Sequence, residues 1–131
     1  MESRVQEAVF KKQNGYNCAQ AVACTYCDLV GMDEETMRNA TAAFAVGMGA
    51  MEASCGAITG AGIIVGLLNK DQRISFGDAK KLIMKFKEQN GSVVCKELKG
   101  IETGKVLREC NDCVADAARF LEEICSAKLN M

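Results

Sequence analysis

Eight cysteines and no histidine stand among the 131 residues. A chain without imidazole lacks the commonest general base, every Cys/His or Ser/His couple and every histidine metal ligand. Whatever chemistry it carries must run on thiolates, carboxylates or backbone groups. The thiols are Cys18, Cys24, Cys27, Cys55, Cys95, Cys110, Cys113 and Cys125. Thiolates in such numbers suit metal or iron–sulfur ligation, thiol–disulfide exchange, or nothing beyond space filling. Their positions relative to the elements that carry them separate these readings.

The apolar spacing is helical almost throughout, and no run alternates strictly enough for a strand. Val5, Ala8 and Val9 mark a first helix, which Asn14-Gly15 ends. Asn17 caps a second, from Cys18 to about Val30, stopped by Gly31. Asp33 caps a third, with Glu34 and Glu35 in its positive first turn. Ser54 is expected to cap an apolar helix reaching about Leu68. Ser75 with Asp78 reads as the capping box of a helix ending at Asn90-Gly91. Ser92 is expected to cap a short helix stopped by Gly100, and Asn111 or Asp112 the last, which runs to about Lys128. The apolar helix lacks a polar face, and Gly56, Gly60, Ala61 and Gly62 allow neighbours close to it. The expected fold is all-α: one domain over 1–131, a bundle of about six helices around a buried Gly/Ala-rich central helix.

On this map the cysteines divide. Cys18, Cys55, Cys95 and Cys110 lie at or near four helix N-termini. There, unpaired N–H groups and the positive dipole end stabilise thiolate or an anionic cluster. Cys24, Cys27 and Cys125 fall inside helices, and at about 100° per residue Cys24 and Cys27 point away from the side of Cys18. Cys113 is ambiguous, sitting at the start of the last helix. The interior cysteines are read as core filling.

From Cys55 to Gly60 the chain reads Cys-Gly-Ala-Ile-Thr-Gly. With Gly15 to Val22, Phe44 to Gly49, Cys95 to Leu98, and Cys110 followed by Val114, Ala117, Ala118, Leu121 and Glu122, it resembles the redox-active protein family named for its Cys / Cys-Gly-Ala-x-x-Gly / Cys / Cys pattern. The resemblance spans nearly the whole chain. It implies that the family's cysteines are Cys18, Cys55, Cys95 and Cys110. Cys113 stands where relatives often carry another residue, and Met51 and Glu52 where they are smaller and glycine-rich. Related domains in split-Soret cytochromes are associated with an iron–sulfur centre, so the resemblance extends to such a centre here.

The first functional expectation is an iron–sulfur cluster, two-iron or four-iron, held by Cys18, Cys55, Cys95 and Cys110 for electron transfer or sensing. The second is metal-free thiol–disulfide chemistry with Cys55 as the redox nucleophile. The third is a helical structural or interaction module with inert thiols, or with a zinc site on Cys24, Cys27, Cys110 and Cys113.

Composition narrows the remainder. Sixteen basic and seventeen acidic side chains give a net charge of -1, which offers nucleic acid no attraction. The lysines at 80, 81, 85 and 87 are a solvated helix face. Apolar residues at 49% argue against disorder. The N-terminus lacks the pattern of a secretory signal, and 57–68 is too short to span a bilayer. The expectation is a cytoplasmic protein with a redox partner protein and with an N-terminal helix suited to pairing with a second copy. Gly100 to Lys105 and Gly60 to Gly66 miss the spacings of phosphate and dinucleotide loops.

Overall fold

A computed structural model describes residues 1–129. Among them are seven α-helices and no strands: α1 (Val5–Gln13), α2 (Cys18–Tyr26), α3 (Glu34–Thr41), α4 (Gly56–Asn69), α5 (Gln72–Asn90), α6 (Cys95–Lys99) and α7 (Cys110–Leu129). α2 tightens into a 3-10 turn over Cys27–Val30, ended by Gly31 at φ 71. A second 3-10 turn, Ala42–Phe44, leads to a single wide turn at Gly47–Met51. Among the described residues no helix is long and apolar enough to cross a membrane.

Several helix starts differ from the sequence reading, and each shift has a local cause. Ser54 does not cap α4: Cys55 is the N-cap, because Ser54 is held in an antiparallel bridge with Val94. α5 begins a turn earlier than Ser75, since the Asp71 side chain accepts from the Ile74 N–H. Ser92 lies outside α6, whose N-cap is Val94. Its hydroxyl instead accepts from the Val94 N–H and donates to Glu97. α7 starts at Cys110 rather than after Asn111 or Asp112, because the Cys113 N–H already reaches the Glu109 carbonyl at 2.9 Å. Asn17 and Asp33 cap α2 and α3 as their types dictate.

α4 packs against α2, α5 and α7. It buries Gly56, Ala57, Ile58, Gly60, Ala61, Ile64 and Val65, while Gly66 is exposed. The core gathers these with Ala21, Val22, Tyr26, Leu82, Phe86, Val114, Ala117 and Leu121. Two glycines set the α2–α4 approach. A Cβ on Gly60 would lie 2.5 Å from the Ala19 carbonyl oxygen, and one on Gly56 would lie 2.6 Å from that of Phe44. No side chain could be accommodated there without moving backbone. That contact brings the start of α2, and so Cys18, beside the start of α4.

Candidate functional site

Each cysteine at the site is anchored by local chemistry. Cys18 is the first residue of α2, fixed by a complete capping box. The Gln20 N–H donates to Asn17 Oδ1 at 2.8 Å, and the Asn17 N–H donates to Gln20 Oε1 at 2.9 Å. Cys55 and Cys95 are tied together by backbone. The Cys55 N–H donates to the Val93 carbonyl at 2.7 Å, and the Cys95 N–H to the Ala53 carbonyl at 3.1 Å. Gly47, at φ 57, comes so close that a Cβ there would lie 2.8 Å from Cys95 Cβ. Cys110 opens α7, and Cys113 follows one turn later on the same side.

These five side chains line one cavity of about 90 Å³, together with Asn17, Val46, Gly47, Gly56, Leu98 and three cations, Lys12, Lys99 and Arg108. That is room for more than one water molecule. Cys55, Cys95 and Cys113 are buried, whereas Cys18 and Cys110 are partly accessible. The structure thus brings together all four cysteines singled out by their helix starts and adds Cys113. Sequence reasoning left Cys113 open because its side depends on where α7 begins.

The sulfurs gathered at the cavity shift one another's acidity in opposite directions. Interaction with the Cys18 thiol, aided by Lys99 and Lys12 and opposed by burial, brings Cys110 down to about 6. Interaction with Cys110, with burial and the neighbouring sulfurs, pushes Cys18 up. Interaction with Cys113 lowers Cys55 against the effect of burial, with help from the N–H groups of Ala57 and Ile58 at the start of α4. Cys113 is pushed up by Cys55 and by burial, and its thiol donates to the Arg108 carbonyl at 3.9 Å. Burial also raises Cys95, with Lys99 working the other way.

Arg108 is the best-anchored cation at the cavity. Its Nε and one terminal nitrogen each donate at 3.0 Å to the carboxylate of Asp116. That carboxylate is fully buried and also accepts from Asn90 Nδ2 at 3.1 Å. A buried carboxylate held this way fixes the guanidinium rather than letting it swing into solvent.

Cys24, Cys27 and Cys125 take no part. All three are buried away from the cavity lining. Burial raises Cys24 and Cys125 to about 11, and raises Cys27 as well. Cys27 Sγ donates to the Cys24 carbonyl at 3.4 Å. Among the described residues no three Cys, Asp or Glu side chains are disposed to hold a single metal ion, and of the alternative zinc set Cys24, Cys27, Cys110 and Cys113 only Cys110 and Cys113 line the cavity. All eight cysteines are free.

With this arrangement in view, the comparison with protein families is direct. Residues 16–124 match the family described as "Putative redox-active protein (C_GCAxxG_C_C)". The chain belongs to this family. The matched span contains all five cavity cysteines. No curated protein and no solved structure gives a significant match.

Proposed function

We propose that this redox-active protein carries an iron–sulfur cluster, two-iron or four-iron, on Cys18, Cys55, Cys95 and Cys110, and uses it for electron transfer or sensing. One observation carries the reading: four cysteines from four separate segments, each at a helix start, line a single cavity. Their number and type fit a cluster. Helix N-termini and the cations Lys12, Lys99 and Arg108 offset the charge that four thiolates and a cluster bring. Gly47 and Gly56 keep backbone close to the sulfurs. Each sulfur would give up its proton on becoming a ligand.

When bound, the cluster supplies a one-electron centre. The chain's own residues keep water scarce around Cys55 and Cys95 and hold fixed positive charge at the wall. Electron exchange with a partner protein would run through the accessible side, where Cys18 and Cys110 lie. The expected setting is the cytoplasm.

The test is iron and acid-labile sulfide in protein prepared without oxygen. Stoichiometric iron and sulfide, lost in Cys55→Ser and kept in Cys125→Ala, is the expected result. Iron-free wild-type protein overturns the cluster.

A second reading, metal-free thiol–disulfide chemistry, is favoured by the five thiols gathered on one cavity. Cys55 is its nucleophile, lowered by Cys113 and by the first N–H groups of α4.

A further inference from the structure

The wall of the cysteine cavity carries charge of one sign. Lys12, Lys99 and Arg108 line it, and among the described residues no carboxylate does. The whole chain has 17 acidic and 16 basic side chains, so an all-cationic wall is a local feature and no reflection of composition. Arg108 is matched from behind by the buried carboxylate of Asp116. Lys12, in the last turn of α1, and Lys99, at the end of α6, take no carboxylate partner among the described residues. Other lysines of the same two helices do. Lys11 pairs with Glu7 at 3.0 Å, and Lys96 with Glu52 at 3.1 Å and Glu102 at 3.2 Å.

Lys12 and Lys99 are half-buried. An ammonium group partly out of water without a counter-charge costs free energy that a bound anion returns. The two thiols of the cavity that solvent reaches are Cys18 and Cys110. The free space of about 90 Å³ equals about three waters, room for an anion of about four heavy atoms. A sulfite-sized oxyanion or a small carboxylate is of that size.

We infer that the metal-free cavity is a binding site for small anions, and that the reactant Lys12 and Lys99 admit to Cys18 and Cys110 is negatively charged rather than neutral. The inference rests on the reading of this cavity as a redox site, and it concerns the state without a cluster. A thiolate by itself repels an anion. The two lysines reverse that preference by raising the local concentration of an anion beside the sulfur. They form no bond with it and exchange no proton.

Iodoacetate and iodoacetamide make the test pair. They are the same size and attack the same thiolate with the same loss of iodide. They differ only in carrying a carboxylate or a neutral amide. The ratio of their rates at one cysteine therefore cancels thiolate fraction and access, and leaves the charge of the surroundings. Cys110 is read in the tryptic peptide 109–119 by mass spectrometry, with fragmentation between Cys110 and Cys113. The protein is reduced and iron-free. The iodoacetate-to-iodoacetamide ratio at Cys110 is expected to be roughly tenfold higher in folded than in urea-unfolded protein, the effect of two unit charges a few ångströms away. Lys12→Gln/Lys99→Gln should return it to the unfolded value. Lys80→Gln/Lys87→Gln changes the net charge equally from exposed positions on α5 and should leave it raised. A folded wild-type ratio no higher than the unfolded one overturns the inference. So does an equal fall in both double variants, since net charge alone would then be responsible. Anaerobic iron is a separate measurement. Iron without a raised ratio removes the anion site and keeps the cluster, and a raised ratio without iron does the reverse.

Discussion

The five cavity cysteines and the three core cysteines share a side chain and almost nothing else. Cys18, Cys95 and Cys110 each open a helix and Cys55 is an N-cap, where N–H groups are free and the dipole is positive. Cys24 and Cys125 lie mid-helix and Cys27 in a 3-10 turn, where N–H groups are already spent. Burial is comparable for most members of both sets. What separates them is what each sulfur meets. A cavity sulfur meets another thiol, a free N–H or a lysine. A core sulfur meets apolar side chains and a carbonyl. Burial alone raises a thiol, and only these extra partners lower it.

The sharpest expression of that difference is reactivity. In reduced, iron-free protein at pH 7, Cys110 near 6 and Cys24 or Cys125 near 11 differ by roughly 10⁴ in thiolate fraction. The lower nucleophilicity of a more acidic thiol returns about 10² of this. Cys110 should therefore alkylate at least ~10²-fold faster than Cys24 or Cys125, and the burial of the latter two widens the gap. Peptide-resolved iodoacetamide labelling over time measures it. Equal rates would erase the division.

The same shifts give opposite pH dependence. Cys110 is depressed in the fold, so its contribution to stability is present above its ordinary value of 9.0 and is lost as pH falls through about 6. Cys24 and Cys125 are raised. Their contribution is intact below 9.0 and is lost as pH rises through about 11. At pH 10 each core thiol should cost about 1.4 kcal/mol relative to pH 8. Denaturant unfolding of the reduced, metal-free protein from pH 6 to 10 should show stability rising and then falling. Cys125→Ala should blunt the fall and Cys110→Ser the rise.

Glycines sharpen the contrast within one helix. Gly60 touches the Ala19 carbonyl next to Cys18, whereas Gly66 faces open space. Gly60→Ala should destabilise by about 1–3 kcal/mol and loosen the Cys18 side of the cavity. Gly66→Ala, six residues along, should stabilise by up to about 1 kcal/mol through helix propensity. Thermal unfolding of both variants checks this. A harmless Gly60→Ala would mean that α2 and α4 can part without cost.

The helices, and the gathering of Cys18, Cys55, Cys95 and Cys110 at one cavity, were legible because caps and stops are local. Asn17, Asp33, Gly31 and Gly100 act on their own neighbours. Cys113 was not, since a start of α7 at Cys110 rather than two residues later changes which side chains share a face. Ser54 and Ser92 misled for a tertiary reason: the 53–55 and 93–95 segments pair with each other, which uses Ser54 as a bridge and makes Cys55 the cap. The cations were invisible for the same reason. Lys12, Lys99 and Arg108 lie on three segments, and nothing in their spacing announces a common wall. Asp116, the buried acid that fixes Arg108, reads in sequence as one more surface charge of α7.

Backbone strain follows the division too. Of the non-glycine residues at positive φ, Val46, Met48 and Met51 all fall in the segment bordering the cavity, and Lys70 alone lies elsewhere, at the end of α4. Val46, at φ 52, is β-branched and lines the cavity, the least comfortable type for that conformation. An L-residue there costs roughly 1–2 kcal/mol, part of which a glycine would forfeit through its larger freedom in the unfolded chain. Val46→Gly should therefore stabilise by less than about 1 kcal/mol. Lys70→Gly, at an ordinary left-handed helix cap, should do about the same. Unfolding of the two side by side isolates what the Val46 side chain contributes. If only Lys70→Gly stabilises, contact between Val46 and the cavity offsets its strain, and the valine serves as part of the wall that shields the thiols. Faster alkylation of Cys55 in Val46→Gly than in Lys70→Gly would then locate that shielding directly.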